Sequence, residues 1–280
     1  MSEAIATSTP APLRMAISES VVAEVNLNDA RAAMQVFLQR LAQEYNFRLE
    51  YNPRIFDASG EILDRTRRGT VDAVVVNILE YRQIAGLLDP SQIVVGAGAK
   101  GRDQYVILVK RDGVIKKLDD LRGRRLVMKK GYRMCVAPYW LSTLFQEGQR
   151  VPIEQILGAA IMEVKISRVV LPVFFGSADA CLAHKQGFEM ICELNPQVAK
   201  DLTILAVSPP MVVTLQAFSR NYRGVYREMF ITALSSVGST AAGPQLATLF
   251  QSQQMVVSDG ACLTPALAVI EKAERARGKR

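Results

Sequence analysis

The chain has 280 residues, 49% of them hydrophobic and 22% charged, with a formal net charge of +7 and a mean hydropathy of +0.12. At roughly 100–200 residues per domain this length allows two domains. No apolar run approaches the roughly 18 uncharged residues of a membrane-spanning helix, and no RNP, zinc-finger or recognition-helix signature accompanies the scattered basic residues, so neither membrane insertion nor nucleic acid is expected.

The excess positive charge suits a small anion instead. Residues 1–12, MSEAIATSTPAP, carry neither a basic n-region nor an apolar core. They read as a flexible leader over 1–11 rather than a signal peptide, which leaves two compartments open: the cytoplasm, or an extracytoplasmic site reached with a signal since removed. Cys135, Cys181, Cys192 and Cys262 show no CxxC or metal spacing, and His184 is the only histidine. We therefore expect no metal and no cofactor. A Cys181–Cys192 disulfide stays open for an oxidising compartment.

Leu13 to Ser18 is the first expected strand, with Ser18-Glu19-Ser20 as its exit loop. Asp29 to Tyr45 is an amphipathic helix, with Ala30, Ala33, Met34, Phe37, Leu38 and Leu41 at three, four and seven spacing and Asn28 or Asp29 as N-cap. Phe47 to Tyr51 alternates as a strand, Asp57 to Arg67 forms a polar helix, and Gly69 to Val76 is a continuous apolar strand ending in Asn77. Helix Leu79 to Leu87 and strand Ile93 to Gly96 follow. This alternation predicts a mostly parallel sheet covered by helices. Ligands bind at the carboxyl ends of such strands, so Ser18, Asn77 and Tyr81 become candidate contacts. Each keeps a plainer alternative: helix capping for the polar residues, packing for Tyr81.

Ala99 to Tyr105 is a polar crossing into a second domain. Val106 to Val109 is a strand, Leu118 to Gly123 a helical turn closed by glycine, Arg125 to Met128 a strand, and Lys129-Lys130-Gly131-Tyr132-Arg133 a loop before helix Ala137 to Phe145. A strand feeding a helix through a glycine loop gathers backbone N–H groups and the helix dipole at one point, which suits an anion. Arg133 could hold a carboxylate or phosphoryl group bidentately; alternatively it faces solvent. Gln149 to Ile156 reads as a connector, Glu163 to Val170 as a strand, and Phe174 to Ala180 as a loop opening a helix through His184. Phe188 to Cys192 reads as a strand, Pro196 to Lys200 as a short helix, and Leu202 to Val207 as a strand entering Ser208-Pro209-Pro210, a rigid return crossing. Asn221 to Ala233, Pro244 to Gln251 and Pro265 to Ala276 are helices, and Ser235 to Gly243 a surface loop. The two crossings divide the chain into lobe I, residues 12–101 and 212–280, and lobe II, residues 102–211, with a cleft between them that hinge motion can close.

This order of elements resembles the type II periplasmic solute-binding fold, and most closely the phosphate/phosphite/phosphonate receptors of ABC transporters. The resemblance rests on Gly69-Thr70-Val71-Asp72-Ala73 followed by Tyr81, on Leu118 to Arg124, on Pro138 and its aromatic helix, on Gly176-Ser177-Ala178-Asp179-Ala180, and on Ser208-Pro209-Pro210. It spans about Leu13 to Leu249. Where that family places a Ser-Thr-Ser-Gly loop to hold phosphoryl oxygens, this chain has Gly131-Tyr132-Arg133-Met134. The resemblance implies two lobes joined by a two-strand hinge, a non-enzymatic role in capturing a small anionic ligand and passing it to a transporter permease, and a periplasmic location. The implied ligand set is Ser18, Asn77, Tyr81, Tyr132, Arg133, Ser177, Asp179 and Ser208. Asp179 has two readings, a helix cap or an acceptor for a ligand amine. A ligand-sensing domain working with a separate signalling partner, or an enzyme on the same fold, are the other readings. For the last, Cys181 and His184 would have to share a helix face, and no Ser-His-Asp or paired-carboxylate arrangement is visible.

Overall fold

The computed structural model describes residues 10–22, 26–46, 48–97, 102–145, 157–236 and 254–278. The expected leader, the Gln149–Ile156 connector and the Pro244–Gln251 helix lie wholly or largely outside them, as do parts of the first crossing and of the Ser235–Gly243 loop. In chain order the strands and helices are β1 (Leu13–Ile17), α1 (Leu27–Glu44), β2 (Leu49–Tyr51), α2 (Ser59–Arg67), β3 (Ala73–Asn77), α3 (Ile78–Ile84) and β4 (Leu88–Ala97). Then come β5 (Tyr105–Lys110), β6 (Arg125–Lys129), α4 (Ala137–Leu144), β7 (Ala159–Glu163), α5 (Ile166–Phe174), β8 (Ala180–His184), α6 (Lys185–Leu194), α7 (Pro196–Asp201) and β9 (Leu202–Val207). The chain ends with β10 (Thr214–Ser219), α8 (Arg227–Ser235), β11 (Gln254–Ser258) and α9 (Thr264–Gly278).

Two compact units result, one from residues 1–99 and 214–260, the other from 100–213 and 261–280. The terminal helix α9, expected in lobe I, belongs with the second unit, where it packs on α4.

The first unit holds a six-stranded sheet in the order β11-β4-β10-β3-β1-β2. β1, β2 and β3 run parallel, while β10 and β11 pair antiparallel with their neighbours. The second unit holds a five-stranded sheet, β7-β6-β8-β5-β9, with β6, β7 and β8 parallel and β5 antiparallel to both its neighbours. Each sheet is therefore mixed rather than mostly parallel. The reason is visible at β5 and β10: both follow a polar crossing and need no covering helix to reverse direction.

Leu13, Met15 and Ile17 of β1 pack against Met34, Phe37, Leu38 and Leu41 of α1, with Phe230 and Leu234 of α8 in the same cluster. Asn26, not Asn28 or Asp29, caps α1, accepting from the Asn28 N–H at 2.9 Å. The second core joins Val106 and Leu108 of β5 to Val127, Cys181 and Ala183, under Val169, Val170 and Val173 of α5. Burying each such side chain contributes about 1.5–3 kcal/mol before entropy is counted.

Between residues 159 and 194 the expected elements are displaced. The expected strand Glu163–Val170 is mostly helix α5, the expected helix through His184 is strand β8, and the expected strand Phe188–Cys192 lies inside helix α6. Ile166, Val169, Val170 and Val173 keep helical spacing in spite of their β-branched composition, and sheet burial decides the case. Cys181 and His184, three apart on a strand, point to opposite faces, so they form no pair on one side.

Candidate functional site

Each parallel trio of strands ends in loops that collect polar side chains. In the first unit β1 runs out at Ser18, whose N–H donates to the Val75 carbonyl at 2.9 Å, and β3 ends at Asn77, the N-cap of α3. Asn77 Oδ1 accepts from the N–H groups of Leu79 and Glu80 at 2.8 and 2.9 Å, and Glu80 Oε2 accepts from the Asn77 N–H at 3.0 Å, which closes a capping box. The same buried Glu80 carboxylate accepts from Ser18 Oγ at 2.6 Å, from Ser20 Oγ at 3.1 Å, and from Ser59 Oγ at the start of α2. Asn77 Nδ2 donates to Ser20 Oγ at 2.9 Å. Three strand-end loops thus converge on one carboxylate, whose lone pairs the four donors satisfy. Ser18 and Asn77 do come together, as members of this cluster; Tyr81 lies buried one residue beyond Glu80. The sequence reading missed Glu80, although Asn77-x-x-Glu80 is a capping-box spacing.

In the second unit β6 ends at Lys129 and passes through Gly131, whose φ of 155° favours glycine, into a single turn at Tyr132–Met134. Lys129 and Tyr132 are both buried, and Lys129 Nζ donates to the Lys130 carbonyl at 2.7 Å. Arg133 is committed to Asp103: its Nε donates to Asp103 Oδ1 at 2.7 Å, with side chains only 11% and 12% exposed. The alternative of a solvent-facing Arg133 is thereby corrected. Its guanidinium nitrogens also reach Gln186 Oε1 at 3.5 Å. Tyr105, at the start of β5, donates its hydroxyl to the Arg133 carbonyl at 2.8 Å and stacks on His184 with ring centroids 6.4 Å apart.

His184 is buried, and its Nε2 finds no partner. Burial, reinforced by the positive charges of Arg133 and Lys129, pushes its pKa down to about 3, so the ring is neutral at neutral pH. Burial holds the Tyr105 phenol protonated well past its ordinary range. Ser208 Oγ accepts from the Tyr105 N–H at 2.8 Å and donates to the Pro209 carbonyl at 2.9 Å. Beside it the entering and returning segments pair, Asp103 and Met211 exchanging two backbone hydrogen bonds of 2.8 Å. Tyr132, Arg133 and Ser208 therefore share a neighbourhood built on Tyr105. None of Lys129, Asp103 and His184 was singled out from sequence as a ligand contact.

Ser177 and Asp179 do not join them. Asp179 precedes β8 and accepts from the Arg125 N–H at 2.8 Å, at the amino end of β6, while Ser177 is exposed and donates to the Pro172 carbonyl. The length of β6, about 13 Å at 3.3 Å per residue, separates this end from Lys129. Asp179 caps no helix, because the segment after it is a strand. Cys181 and Cys192 are free thiols, which corrects the open disulfide. Among the described residues no group of His, Cys, Asp and Glu is arranged to hold a metal, and no helix is long and apolar enough to cross a membrane.

Two α/β units, with the segments at Asp103 and Met211 paired side by side and each unit carrying a polar cluster where its parallel strands end, define the type II periplasmic-binding-protein class. The family model for the periplasmic substrate-binding protein of phosphonate ABC transporters matches residues 20–261, and the chain belongs to that family. Its members are substrate-binding components of transporters, not enzymes. No curated protein matches in sequence.

Among solved structures, the chain is similar to XAC2383 from Xanthomonas citri bound to chloride, with 16% identity, TM-score 0.63, and 96% of this chain and 99% of that one covered. It is similar to PhnD1 from Prochlorococcus marinus in complex with methylphosphonate, with 16% identity, TM-score 0.59, and coverage of 95% and 100%. A binding component of an ABC phosphonate transporter from Pseudomonas aeruginosa gives 13% identity, TM-score 0.59, and coverage of 96% and 88%. At these identities the likeness is one of fold.

Proposed function

We propose that the protein captures a small oxyanion of the phosphonate, phosphate or sulfonate class, or a small organic acid, in the periplasm and delivers it to an ABC transporter permease. The observation that carries this reading is the strand-end cluster of the second unit, where the cations Lys129 and Arg133 both act on the neutral, buried His184 and Arg133 is held by Asp103. Charge-assisted hydrogen bonds from such groups contribute on the order of 1.5–3 kcal/mol each. Tyr132 lies in the same turn and is proposed as a contact, with Arg133 held in orientation by Asp103. We further propose Ser18, Asn77 and Tyr81, beside the strand ends of the first unit, as ligand contacts. Ser208 acts by fixing Tyr105. Asp179 and Ser177 are assigned to holding the far end of the sheet. The methylphosphonate carried by PhnD1 agrees with the oxyanion class.

The test is thermal denaturation with methylphosphonate, inorganic phosphate and a short alkylsulfonate in turn. A ligand at a hundred times its Kd stabilises by about 2.7 kcal/mol, which reads as a rise of several degrees in Tm. Lys129→Met should remove the rise. If none of these oxyanions nor any organic acid raises Tm, the assignment to anion capture fails.

A further inference from the structure

The first unit has a second cationic place, at the other end of its sheet from Ser18 and Asn77. A cavity of about 270 Å³ opens there, lined by Arg14, Arg67, Gly69, Asp72, Arg220 and Tyr222 among others. Arg14 opens β1 and Ser18 follows its end, so about 13 Å of strand lies between the two places. Three guanidinium groups meet one carboxylate in this cavity, and that carboxylate is already engaged. Asp72 accepts from the Arg14 N–H, Nε and a terminal guanidinium nitrogen at 2.9, 3.0 and 2.7 Å. The same terminal nitrogen of Arg14 donates to the Gly69 carbonyl at 3.2 Å, which fixes the guanidinium plane.

The other two arginines are weakly held. Among the described residues the Arg220 guanidinium reaches the Leu88 carbonyl, at 3.4 Å from two of its nitrogens, and Arg67 approaches Asp64 at 3.7 Å. Two guanidinium groups with unspent donors, beside a third that is immobilised, match the flat multi-point recognition that arginine gives an oxyanion.

We propose that this cavity is a second oxyanion site, taking a small free phosphate-type anion. Its volume lies just below the ~300–1,000 Å³ of drug-sized pockets, which favours a phosphate group with at most a short organic remainder. Arg67 and Arg220 supply the new bonds, and Arg14, braced by Asp72, supplies the fixed wall. Because the arginines are partly exposed, binding weakens as salt rises.

The test is calorimetric titration of the full chain with inorganic phosphate near physiological ionic strength, on wild type, on Arg67→Gln/Arg220→Gln, and on Lys129→Met. The expected result is two classes of phosphate sites in wild type, one that weakens at least tenfold in the double variant, with an unchanged Tm, and survives in Lys129→Met, and one lost in Lys129→Met. A single class, lost only in Lys129→Met, belongs to the strand-end cluster and leaves this cavity empty, which overturns the present proposal and supports the proposed function. A single class, lost only in the double variant, does the reverse. Phosphate binding untouched by the double variant, or binding to vesicles carrying phosphatidic acid without binding of free phosphate, also overturns it.

Discussion

Asp72 binds Arg14 twice over, through the main-chain N–H at 2.9 Å and through the guanidinium at 2.7 Å. Asp179 repeats the arrangement in the second sheet, accepting from the Arg125 N–H at 2.8 Å and lying 3.5 Å from its Nε. In both units a Gly-x-x-Asp-Ala or Gly-x-Val-Asp-Ala segment enters a buried parallel strand, and its aspartate fastens an arginine in the first two residues of the neighbouring strand. The motif that carries the family resemblance thus sets sheet register in two places.

The two clamps should differ in strength. Arg14 and Asp72 side chains are 38% and 12% exposed, against 54% and 28% for Arg125 and Asp179. Asp72→Ala should cost about 2 kcal/mol, in the range of charge-assisted hydrogen bonds, and Asp179→Ala about 1 kcal/mol, because solvent screens the looser pair. Urea denaturation of both variants checks the order; equal losses would mean that the backbone bond alone matters.

Arg133 and Asp103 make a more enclosed pair. Removing one partner of a buried pair costs about 3–5 kcal/mol, since the other charge is left unpaired. We expect Arg133→Ala to lose about 3 kcal/mol without any ligand present. Arg133→Ala/Asp103→Ala should lose less than the two single changes together, giving a coupling energy of order 2 kcal/mol in a double-mutant cycle. Additive single losses would release Arg133 from this structural duty.

Gln216 sits buried in β10 with neither side-chain polar atom partnered, between Val75 and Val94 on the adjoining strands. An unsatisfied buried amide costs about 1–3 kcal/mol, and methionine has nearly the same shape without that cost. Gln216→Met should therefore raise the urea midpoint, by the equivalent of about 1 kcal/mol. A fall in midpoint would mean that the amide is solvated or bound in solution.

Much of this architecture could be read along the chain. β1, α1 and β9 fall within two residues of their expected limits, because their apolar spacing and flanking polar residues agree. Ile166 to Phe174 did not, since valine-rich composition argues for a strand while position argues for a helix. β10 escaped because Gln216 interrupts its apolar run. The strand-end loops could be located from topology. The groups inside them could not: Ser18 meets Glu80 across 62 residues and Arg133 meets Asp103 across 30, and no local pattern announces either pair.

His184 offers a direct test of the second cluster, because it is the only histidine in the chain. Its pKa is about 3 in the folded protein against an ordinary 6.5, mainly through burial. The unfolded chain therefore takes up a proton near pH 6.5 that the folded chain refuses until about pH 3. The sign follows: this residue adds no penalty above pH 6.5 and erodes stability as pH falls below it, with a slope approaching about 1.4 kcal/mol per pH unit. Its imidazole proton resonance should stay flat from pH 8 to pH 5 while the protein remains folded, and His184→Gln should flatten the acid side of the stability profile. A resonance that titrates near 6.5 would place the ring in solvent, away from Lys129 and Arg133. A resonance that is flat alone but shifts when methylphosphonate is added would make the unpartnered Nε2 a ligand contact.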